Sequence, residues 1–349
     1  MKYFAIVFIA VCLAACDYLP KNATLNLSPE QISQLQTQLQ PSKQVVVDAL
    51  STHQFVALGD AHYYPGFMLA ISDIITSPKI VSQQPIIVLE FGNQNYQDYI
   101  NQYIKGDAVD ESQLKHVLRE TLYFTAWLGD GYKELLQSIR AINQTLPDDK
   151  KLTVLLAEKH FNWENATAES WQRAASSKVD GFYDTLKPFI QSNQKAILVF
   201  GGFHLLKATH PETVNQHDLS LVSRIEMAKP NSVFTVWPVI QNVLYDVLPN
   251  TDTAKIIKLD DNSVLADIPF RDIMPKARPM LSKINSKDAT LQSLADALLY
   301  VGHTKRDMTF SKDVMNDEKW ITEMKKRVAI IGGKLETRFN SLLTDNHIK

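Results

Sequence analysis

Acidic and histidine side chains follow short apolar runs at several places in this 349-residue chain. Asp60 and His62 come directly after one such run, two residues apart. Glu90 lies inside a second run, and His204 follows a pair of glycines after a third. Carboxylates are rarely buried without a partner, so Glu90 needs a cationic, metal or proton-sharing neighbour. These four side chains are the candidates for catalysis.

Two chemistries use such a set of acids and histidines. In the first, a carboxylate or imidazole deprotonates a water that attacks a carbonyl, and the second histidine stabilises the oxyanion or protonates the leaving group. In the second, His62, Glu90 and His204 hold a divalent metal, zinc or manganese by ligand type, that activates the water. The chain has no His-Glu-x-x-His motif and no Gly-x-Ser-x-Gly elbow. A metal site would therefore be assembled from separate strands, and a serine nucleophile is not expected.

Further side chains are candidates for the walls of the same pocket. A structural alternative for Glu90 is that it only caps a neighbouring backbone or pairs with an arginine such as Arg140 or Arg173. His303 also follows a glycine after an apolar run and is a weaker candidate. Because an exposed tyrosine can ligate haem iron, a haem pocket is the alternative to a hydrolytic one. The pocket or ligand-binding candidates are Tyr63, Tyr64, Glu158, His160 and Arg140.

Six apolar runs have the length and composition of strands. Most are continuous rather than alternating, as expected of strands buried on both faces. Helical periodicity fills most of the gaps, which predicts right-handed crossovers and a largely parallel sheet flanked by helices in an α/β fold. Ligands bind beyond the carboxyl ends of such strands, where the acids and histidines would lie. The predicted strands are residues 55–58, 86–91, 152–157, 196–200, 233–237 and 297–301.

The predicted helices are mostly amphipathic, and the first begins with a capping signal. Ser28 is the N-cap, Pro29 takes the first helical position and Gln31 closes a capping box. Residues 241–291 contain scattered Pro, Asp and Asn and are predicted to be an irregular excursion or lid-like segment. The charged C-terminal helix is expected to break near Gly332 and is a candidate homodimer contact. The predicted helices are residues 44–50, 67–75, 96–104, 114–123, 132–143, 168–190, 219–227 and 316–342.

The overall composition is that of a globular protein with balanced charge. A formal net charge of -2 does not indicate a nucleic-acid-binding surface. The length suits one large α/β domain, which we place at residues 28–345. The chain has two cysteines, Cys12 and Cys16, both near the N-terminus. The predicted domain therefore has no thiol nucleophile and no cysteine metal ligand.

The first residues are typical of a bacterial lipoprotein. Lys2 begins a positive n-region, and the apolar run after it is too short for a comfortable membrane span. The small residues before Cys16 resemble the lipobox, although an ordinary cleaved signal with a chance cysteine is the alternative. We expect a signal peptide at 1–15, a tether at 16–27 and a periplasm-facing protein anchored through several acyl chains, palmitate among them. Asp17 favours the inner membrane over the outer without deciding between them.

The stretch Ala-Leu-Gly-Asp-Ala-His at 57–62 resembles the Gly-Glu-x-His signature of one superfamily. It joins erythromycin esterases, ChaN-like haem-binding lipoproteins and TraB/TIKI proteins. The likeness includes Val-Leu-Glu-Phe-Gly-Asn at 88–93 and Gly-Gly-Phe-His-Leu-Leu at 201–206, and it covers roughly 55–238. Shorter agreeing segments are 96–98, 103–106, 132, 139–147 and 232–238.

The resemblance implies an α/β fold in which Asp60, His62, Glu90 and His204 line one pocket. Erythromycin esterases use such a set to activate water on an ester, ChaN-like lipoproteins are associated with haem binding, and TIKI-type members are metal-dependent proteases. This chain departs from the signature at Asp60, where a glutamate is usual, and its third strand ends Ala-Glu-Lys rather than Gly-Asp-Pro. The shorter acid withdraws its carboxylate by about an ångström, so a binding protein without catalysis is an alternative.

The sequence therefore predicts a lipid-anchored envelope protein with an acid–histidine pocket that hydrolyses an ester or amide of a small molecule. Asp60 with His62 would activate the water, and His204 would support the oxyanion or leaving group. Glu90 would polarise a neighbouring group or pair with one. One alternative is a haem-binding or iron-binding lipoprotein in which His62 or a tyrosine after it faces the iron. Another is a structural envelope lipoprotein with a relic pocket.

Overall fold

A computed structural model describes residues 25–240, 242–274 and 289–348 of the chain. The predicted signal peptide, the lipidation site Cys16 and most of the predicted tether lie outside the described residues. Within them, no helix combines the length and the apolar character needed to cross a membrane.

Eight strands of the described residues form one mixed sheet with helices on both faces. Its order is β1-β7-β8-β6-β2-β5-β3-β4. The six strands from β8 to β4 in this order run parallel, whereas β7 is antiparallel to both of its neighbours. The strands are β1 (Gln40–Pro41), β2 (Phe55–Asp60), β3 (Ile86–Asn93), β4 (Thr153–Glu158), β5 (Ala196–Gly201), β6 (Val233–Pro238), β7 (Lys255–Lys258) and β8 (Ala297–Tyr300).

The six predicted strands are present, with ends that differ by up to two residues, and the α/β fold class is confirmed. The prediction missed β1 and β7, which form one edge of the sheet. β1 has two residues and ends in a proline, a residue that sheets tolerate at their edges. β7 reads Lys-Ile-Ile-Lys, too short an apolar run to be recognised. It lies in the segment predicted as an irregular excursion, of which residues 241 and 275–288 are outside the described residues.

The helices lie between the strands in chain order. The α-helices are α1 (Pro29–Thr37), α2 (Ser42–Thr52), α3 (Pro65–Ile75), α4 (Pro78–Val81), α5 (Gln97–Lys105), α6 (Leu114–Arg119), α7 (Gly131–Asn143), α8 (Ala168–Ser176), α9 (Lys178–Ile190), α10 (Leu221–Ala228), α11 (Asn242–Tyr245), α12 (Phe270–Ile273), α13 (Leu291–Leu294), α14 (Lys312–Met315), α15 (Glu318–Ile331) and α16 (Gly333–Asp345). Short 3-10 turns are Gln94–Tyr96, Glu111–Gln113, Phe124–Ala126, Asp148–Lys150, Gly202–His204, Pro211–Thr213 and Gln216–Asp218.

Local chemistry accounts for several helix ends. The predicted capping box is confirmed, since the Ser28 hydroxyl accepts from the Gln31 amide and the Gln31 side chain accepts from the Ser28 amide. The predicted break in the C-terminal helix is confirmed at Gly332, whose φ is 70°. The single helix predicted at 168–190 is wrong, because Ser177 leaves helical geometry and separates α8 from α9. Its hydroxyl donates to the main chain of the preceding turn, the competition that makes serine a poor helix interior residue.

The core lies on both faces of the sheet. Phe55 and Ala57 of β2 pack with α9 and α10 on one face, and Val56 and Leu58 pack with α2, α3 and α7 on the other. This alternation is the two-residue period of a strand. A separate cluster of aromatic and aliphatic side chains joins α15 and α16 to the segment 122–128. The sheet therefore fixes the strand ends, and the C-terminal helices support the loop beside them.

Candidate active site

Four neighbouring parallel strands, in the order β2-β5-β3-β4, end at one edge of the sheet. Asp60 is the last residue of β2 and Glu158 is the last residue of β4. Glu90 lies near the end of β3, and His204 lies in the 3-10 turn after β5. Because parallel strands end on the same side, these side chains are brought to the same place.

Asp60 and His62 form a hydrogen-bonded pair. The Asp60 side chain is 4% exposed, and its Oδ2 lies 2.8 Å from His62 Nδ1, while the His62 side chain keeps 20% of its surface exposed. The Tyr132 hydroxyl donates to the same Oδ2 at 2.8 Å. The carboxylate thus holds the proton on Nδ1, and the unprotonated nitrogen of the neutral ring is Nε2.

The electrostatics of this pair favour a histidine that readily takes a proton. Burial lowers the pKa of His62, but the hydrogen bond and charge of Asp60, together with the charge of Glu90, outweigh burial and raise it. Burial and the nearby Asp60 raise the pKa of Tyr132 well above its usual range. Tyr132 therefore stays protonated and remains a donor to the carboxylate.

Glu90 is the centre of a second set of contacts and is 3% exposed. Its Oε2 accepts from the Gly201 amide at 2.6 Å. Its Oε1 lies 3.0 Å from Lys178 Nζ and 3.2 Å from His204 Nε2. Burial favours the neutral acid, but the charges of Lys178 and His204 prevail and hold the pKa of Glu90 well below its usual range. Glu90 is therefore a carboxylate at neutral pH.

Lys178 connects Glu90 to a second buried acid. Its Nζ lies 3.3 Å from Oε2 of Glu158, whose other oxygen accepts from the Leu122 amide. The ammonium also lies 4.5 Å from the ring centroid of Tyr123. Burial lowers the pKa of Lys178, but the two carboxylates raise it above its usual value, while burial raises the pKa of Glu158. Lys178 is thus the cationic partner of both buried carboxyl groups, Glu90 and Glu158.

Gly201 shows how closely the two sets approach. It lies opposite Asp60 in the register of β2 and β5. A Cβ added there would lie 3.1 Å from both His62 Nε2 and Glu90 Oε2. Contacts this short are tight, so a side chain at this position would have to push the imidazole and the carboxylate aside. The structure therefore brings together the four predicted catalytic side chains, and Glu158 joins them through Lys178.

The tyrosines after His62 are packed into the protein. Tyr63 has a φ of 69°, and its hydroxyl donates to the Thr125 carbonyl at 2.9 Å. The guanidinium carbons of Arg306 and Arg338 lie 5.5 and 5.0 Å from its ring centroid. Tyr64 is buried. Tyr63 is half-buried with its hydroxyl engaged by the main chain, and Tyr64 is buried, so a haem iron at either phenol would require these contacts to change.

Two other strand-end histidines have different surroundings. His160 is exposed, and its Nδ1 lies 3.1 Å from the side-chain nitrogen of Asn93 at the end of β3. His303 Nε2 lies 3.0 Å from the Leu248 carbonyl oxygen, and its ring stacks on Tyr245. His160 thus contacts Asn93, which lies opposite Glu158 in the register of β3 and β4, whereas the contacts of His303 belong to another part of the fold.

Arg140 does not reach the cluster. Its guanidinium donates to three main-chain carbonyls within 103–107, at the end of α5. Of the structural alternatives for Glu90, a bond to a neighbouring backbone is present at the Gly201 amide, whereas the pairing with Arg140 or Arg173 is wrong, because Lys178 takes that place. The role predicted for Arg140 in a pocket has no support from its contacts, which are those of a residue that holds a helix end.

The residues present do not fit the predicted divalent metal. Among the described residues, no group of three or more His, Cys, Asp or Glu side chains is placed to hold a metal ion. Both oxygens of Glu90, the ligand predicted to join His62 and His204, are engaged, one by the Gly201 amide and one by the Lys178 ammonium. A metal at Glu90 would be close to that positive charge.

Three residues of the site were missed by sequence reasoning. Tyr132 begins a predicted helix, and Trp127, whose ring edge packs on His62 at 4.7 Å, lies in an unassigned loop. Lys178 lies inside the helix predicted at 168–190, where the amphipathic pattern does not single it out. The available signal was indirect: two glutamates in apolar strands require a cation. Nothing in the sequence pattern says which of the lysines and arginines supplies it.

A cavity of about 760 Å³ is lined in part by Trp127, whose ring also packs on His62. Its volume is that of a small-molecule pocket. Trp127 therefore borders the cavity and contacts the imidazole of His62. The lining combines an aromatic and aliphatic floor with ion-paired rim residues, among them Leu118, Phe124, Lys133, Asp313, Asp317 and Trp320.

Comparisons with known proteins give a likeness of fold. No protein-family model matches the chain, and no curated protein matches it. A solved succinoglycan biosynthesis protein superposes with a TM-score of 0.50 at 9% identity, over 79% of this chain and 97% of that one. A Bacillus cereus protein superposes with a TM-score of 0.48 at 12% identity, over 78% and 97%. An erythromycin esterase mutant in its open conformation superposes with a TM-score of 0.48 at 10% identity, over 76% of this chain and 94% of that one.

Proposed function

We propose that this chain is a hydrolase in which the Asp60–His62 pair activates water for attack on an ester or amide carbonyl. One observation carries the proposal. A buried carboxylate holds Nδ1 of a partly exposed imidazole at 2.8 Å, which leaves Nε2 to act on a substrate. This is the orienting arrangement of a general base.

The reaction follows from the protonation states at the pair. His62 Nε2 takes a proton from water as the water oxygen attacks the carbonyl carbon. The imidazolium that forms is stabilised by Asp60, and the raised pKa of His62 reflects this stabilisation. When the tetrahedral intermediate collapses, His62 returns the proton to the leaving alcohol or amine.

His204 and Glu90 support the charge that develops on the substrate. Glu90 is anionic and its Oε1 lies 3.2 Å from His204 Nε2, so it accepts a hydrogen bond from the N–H at that nitrogen. A protonated His204 then presents Nδ1–H to an oxyanion or a leaving group. His204 keeps 19% of its side chain exposed, compared with 3% for Glu90, so it is the member of this pair that a substrate can approach.

The aspartate in the place of the signature glutamate is compatible with this role. Asp60 and His62 are two residues apart at the end of β2, and the shorter side chain already reaches Nδ1 at 2.8 Å. Tyr132 adds a second donor to the same oxygen. The lost methylene therefore does not break the pair.

The envelope location remains part of this proposal and is supported by sequence alone. Acylation at Cys16 would place the hydrolytic domain at the membrane surface, facing the periplasm. Mass spectrometry of the mature N-terminus of the membrane-extracted protein decides this point. A lipid-modified Cys16 is expected, and an unmodified peptide that begins elsewhere would remove the anchor.

The hydrolase proposal is tested with the full chain against a panel of aryl esters and anilides. Replacing His62 with Gln is expected to lower kcat by about 10²- to 10⁴-fold, the range for loss of a general base. His303→Gln is the matched control, since His303 also follows a glycine at a strand end but contacts the Leu248 carbonyl instead. Equal rates in the wild type and His62→Gln would exclude this assignment.

A further inference from the structure

We propose that Lys178 is the built-in cation of this site, that it positions His204 through Glu90, and that hydrolysis is metal-independent. The kinetic part of this inference rests on the proposed function. The structural part concerns only the charge state of Glu90 and can be decided without a substrate.

The ammonium of Lys178 occupies the place that a bound cation would take. It lies 3.0 Å from Oε1 of Glu90 and 3.3 Å from Oε2 of Glu158. The lysine side chain is 7% exposed, and each glutamate side chain is 3% exposed. The rings of Tyr123 and Phe182 lie 4.5 and 5.2 Å from the ammonium, so aromatic faces complete its surroundings.

This enclosure makes the lysine necessary rather than merely favourable. Removing one partner of a buried ion pair leaves an uncompensated charge, which the protein neutralises by shifting a proton. Without the ammonium, Glu90 and Glu158 would face each other's charge in a buried setting. At least one of them is then expected to take up a proton at higher pH.

Lys178 acts on the reaction through Glu90 and is therefore a positioning residue. An ionised Glu90 accepts a hydrogen bond from the Nε2–H of His204, which orients that ring and stabilises its protonated form. A protonated Glu90 would donate to the same nitrogen instead, and the protonated form of His204 would lose this stabilisation. The groups that face Glu90 are Lys178 from α9, His204 from the turn after β5, His62 from the loop after β2, and Glu158 through the shared lysine.

The same geometry argues against a metal. A divalent ion bound by Glu90, His62 and His204 would have to displace the ammonium or lie close to it, and like charges in a buried site repel strongly. Wild-type activity is expected to be unchanged after dialysis against EDTA. Loss of activity on chelation, restored by added zinc or manganese, would overturn the metal-independent reading.

The decisive variant is Lys178→Met, which keeps the length of the side chain and removes its charge. The readout is the ¹³C carboxyl resonance of Glu90, assigned by its loss in Glu90→Gln. In the wild type, Glu90 is expected to titrate below pH 4.5, and in Lys178→Met it should titrate at least one pH unit higher. The ¹⁵N shifts of His204 should move with it. An unchanged Glu90 titration would refute the inference whether or not a substrate is known.

Lys159→Met is the matched control for the loss of one positive charge. Lys159 lies next to Glu158 in the chain, but its side chain is 55% exposed and pairs with Asp184 at the surface. Its replacement should leave the titration of Glu90 unchanged. If Lys178→Met alone does not fold, the double variant Lys178→Met/Glu158→Gln removes one of the two acids and is read in the same way.

Kinetics provide the second readout where turnover is found. Lys178→Met should lower kcat at least tenfold at pH 7 with less than a twofold change in KM, since no direct contact with substrate is removed. A change confined to KM would contradict a positioning role. If the wild type hydrolyses nothing, the proposed function fails, and the titration of Glu90 still decides the role of Lys178.

Discussion

At the scale of single residues, one carboxyl oxygen organises the general base. Asp60 Oδ2 accepts from Tyr132 and faces His62 Nδ1, both at 2.8 Å, whereas the buried Asp60 Oδ1 has no hydrogen-bond partner among the described residues. Because Tyr132 donates to the same oxygen, its hydrogen bond weakens the attraction between Asp60 Oδ2 and the His62 ring. Removing the phenol hydroxyl should therefore change the pKa of His62.

Replacing Tyr132 with Phe tests this dependence. The variant keeps the ring, which packs on Trp127 and Phe91, and loses one donor to a charged group. Unfolding free energy should fall by about 1.5–3 kcal/mol, measured by urea denaturation. The pKa of His62 should rise further, because Asp60 then interacts more strongly with the imidazole. Tyr63→Phe, whose hydroxyl donates to the neutral Thr125 carbonyl, should leave the pKa of His62 unchanged.

The pH dependence of activity and of stability should run in opposite directions. Asp60 and Glu90 outweigh burial and raise the pKa of His62, and a general base must be unprotonated. kcat/KM should therefore rise with pH and level off above the ordinary histidine value of about 6.5. The stabilising contribution of protonated His62 is complete below about pH 6.5 and is lost as pH rises through the folded-state pKa.

Measurement of kcat/KM and of urea midpoints between pH 5 and 9 checks both trends. In His62→Gln the fall in stability across this window should disappear. The depressed pKa of Glu90 contributes stability that is present above its unfolded value and is lost only in acid, below this window. A rate that is constant down to pH 5 would contradict His62 as the base.

At the scale of elements, the end of β5 keeps the two halves of the site apart. A Cβ at Gly201 would lie 3.1 Å from both His62 Nε2 and Glu90 Oε2. Gly201→Ala is expected to lower kcat/KM at least tenfold and to cost about 1–3 kcal/mol of stability through overpacking. Gly129→Ala is the control, because an added Cβ there meets no atom within 4 Å. Near-equal activities of the two variants would show that this spacing does not matter.

Elements buried on both faces could be predicted from the sequence, and elements defined by their partners could not. The six central strands are visible as continuous apolar runs because they have no solvent-facing side. β7 and β1 are half exposed and short, so their pairing is set by β8 rather than by their own composition. The convergence of the acids and histidines could be predicted because neighbouring parallel strands end at the same edge of the sheet.

The cation of the site shows the limit of such reasoning. Lys178 enters the core because Ser177 breaks a helix whose amphipathic pattern continues through it. Amphipathic periodicity reports which face is apolar and does not report a break of one residue. The sequence could therefore predict that Glu90 needs a partner, while the partner's identity depends on tertiary packing.

At the scale of the whole molecule, the C-terminal helices stabilise the loop beside the catalytic pair. Arg327 of α15 is 5% exposed and donates to the Arg119 carbonyl, to Glu120 and to Glu323, each at 2.9 Å. Its guanidinium also lies 4.9 Å from the ring centroid of Trp163. These contacts hold the segment 119–128, which carries both Tyr123 beneath Lys178 and Trp127 against His62.

Replacing Arg327 with Met should therefore act at a distance. The change leaves the partly exposed Glu120 without its arginine partner and the Arg119 carbonyl without a donor, which should cost about 1–3 kcal/mol of stability. Lys326→Met is the control, since the Lys326 side chain is 70% exposed, and it should change stability by no more than about 0.5 kcal/mol. Because Trp127 packs on His62 at 4.7 Å, loosening the segment 119–128 should also shift the His62 Hε1 resonance in Arg327→Met. A large loss of stability with an unshifted His62 signal would show that the C-terminal helices support the fold without reaching the site.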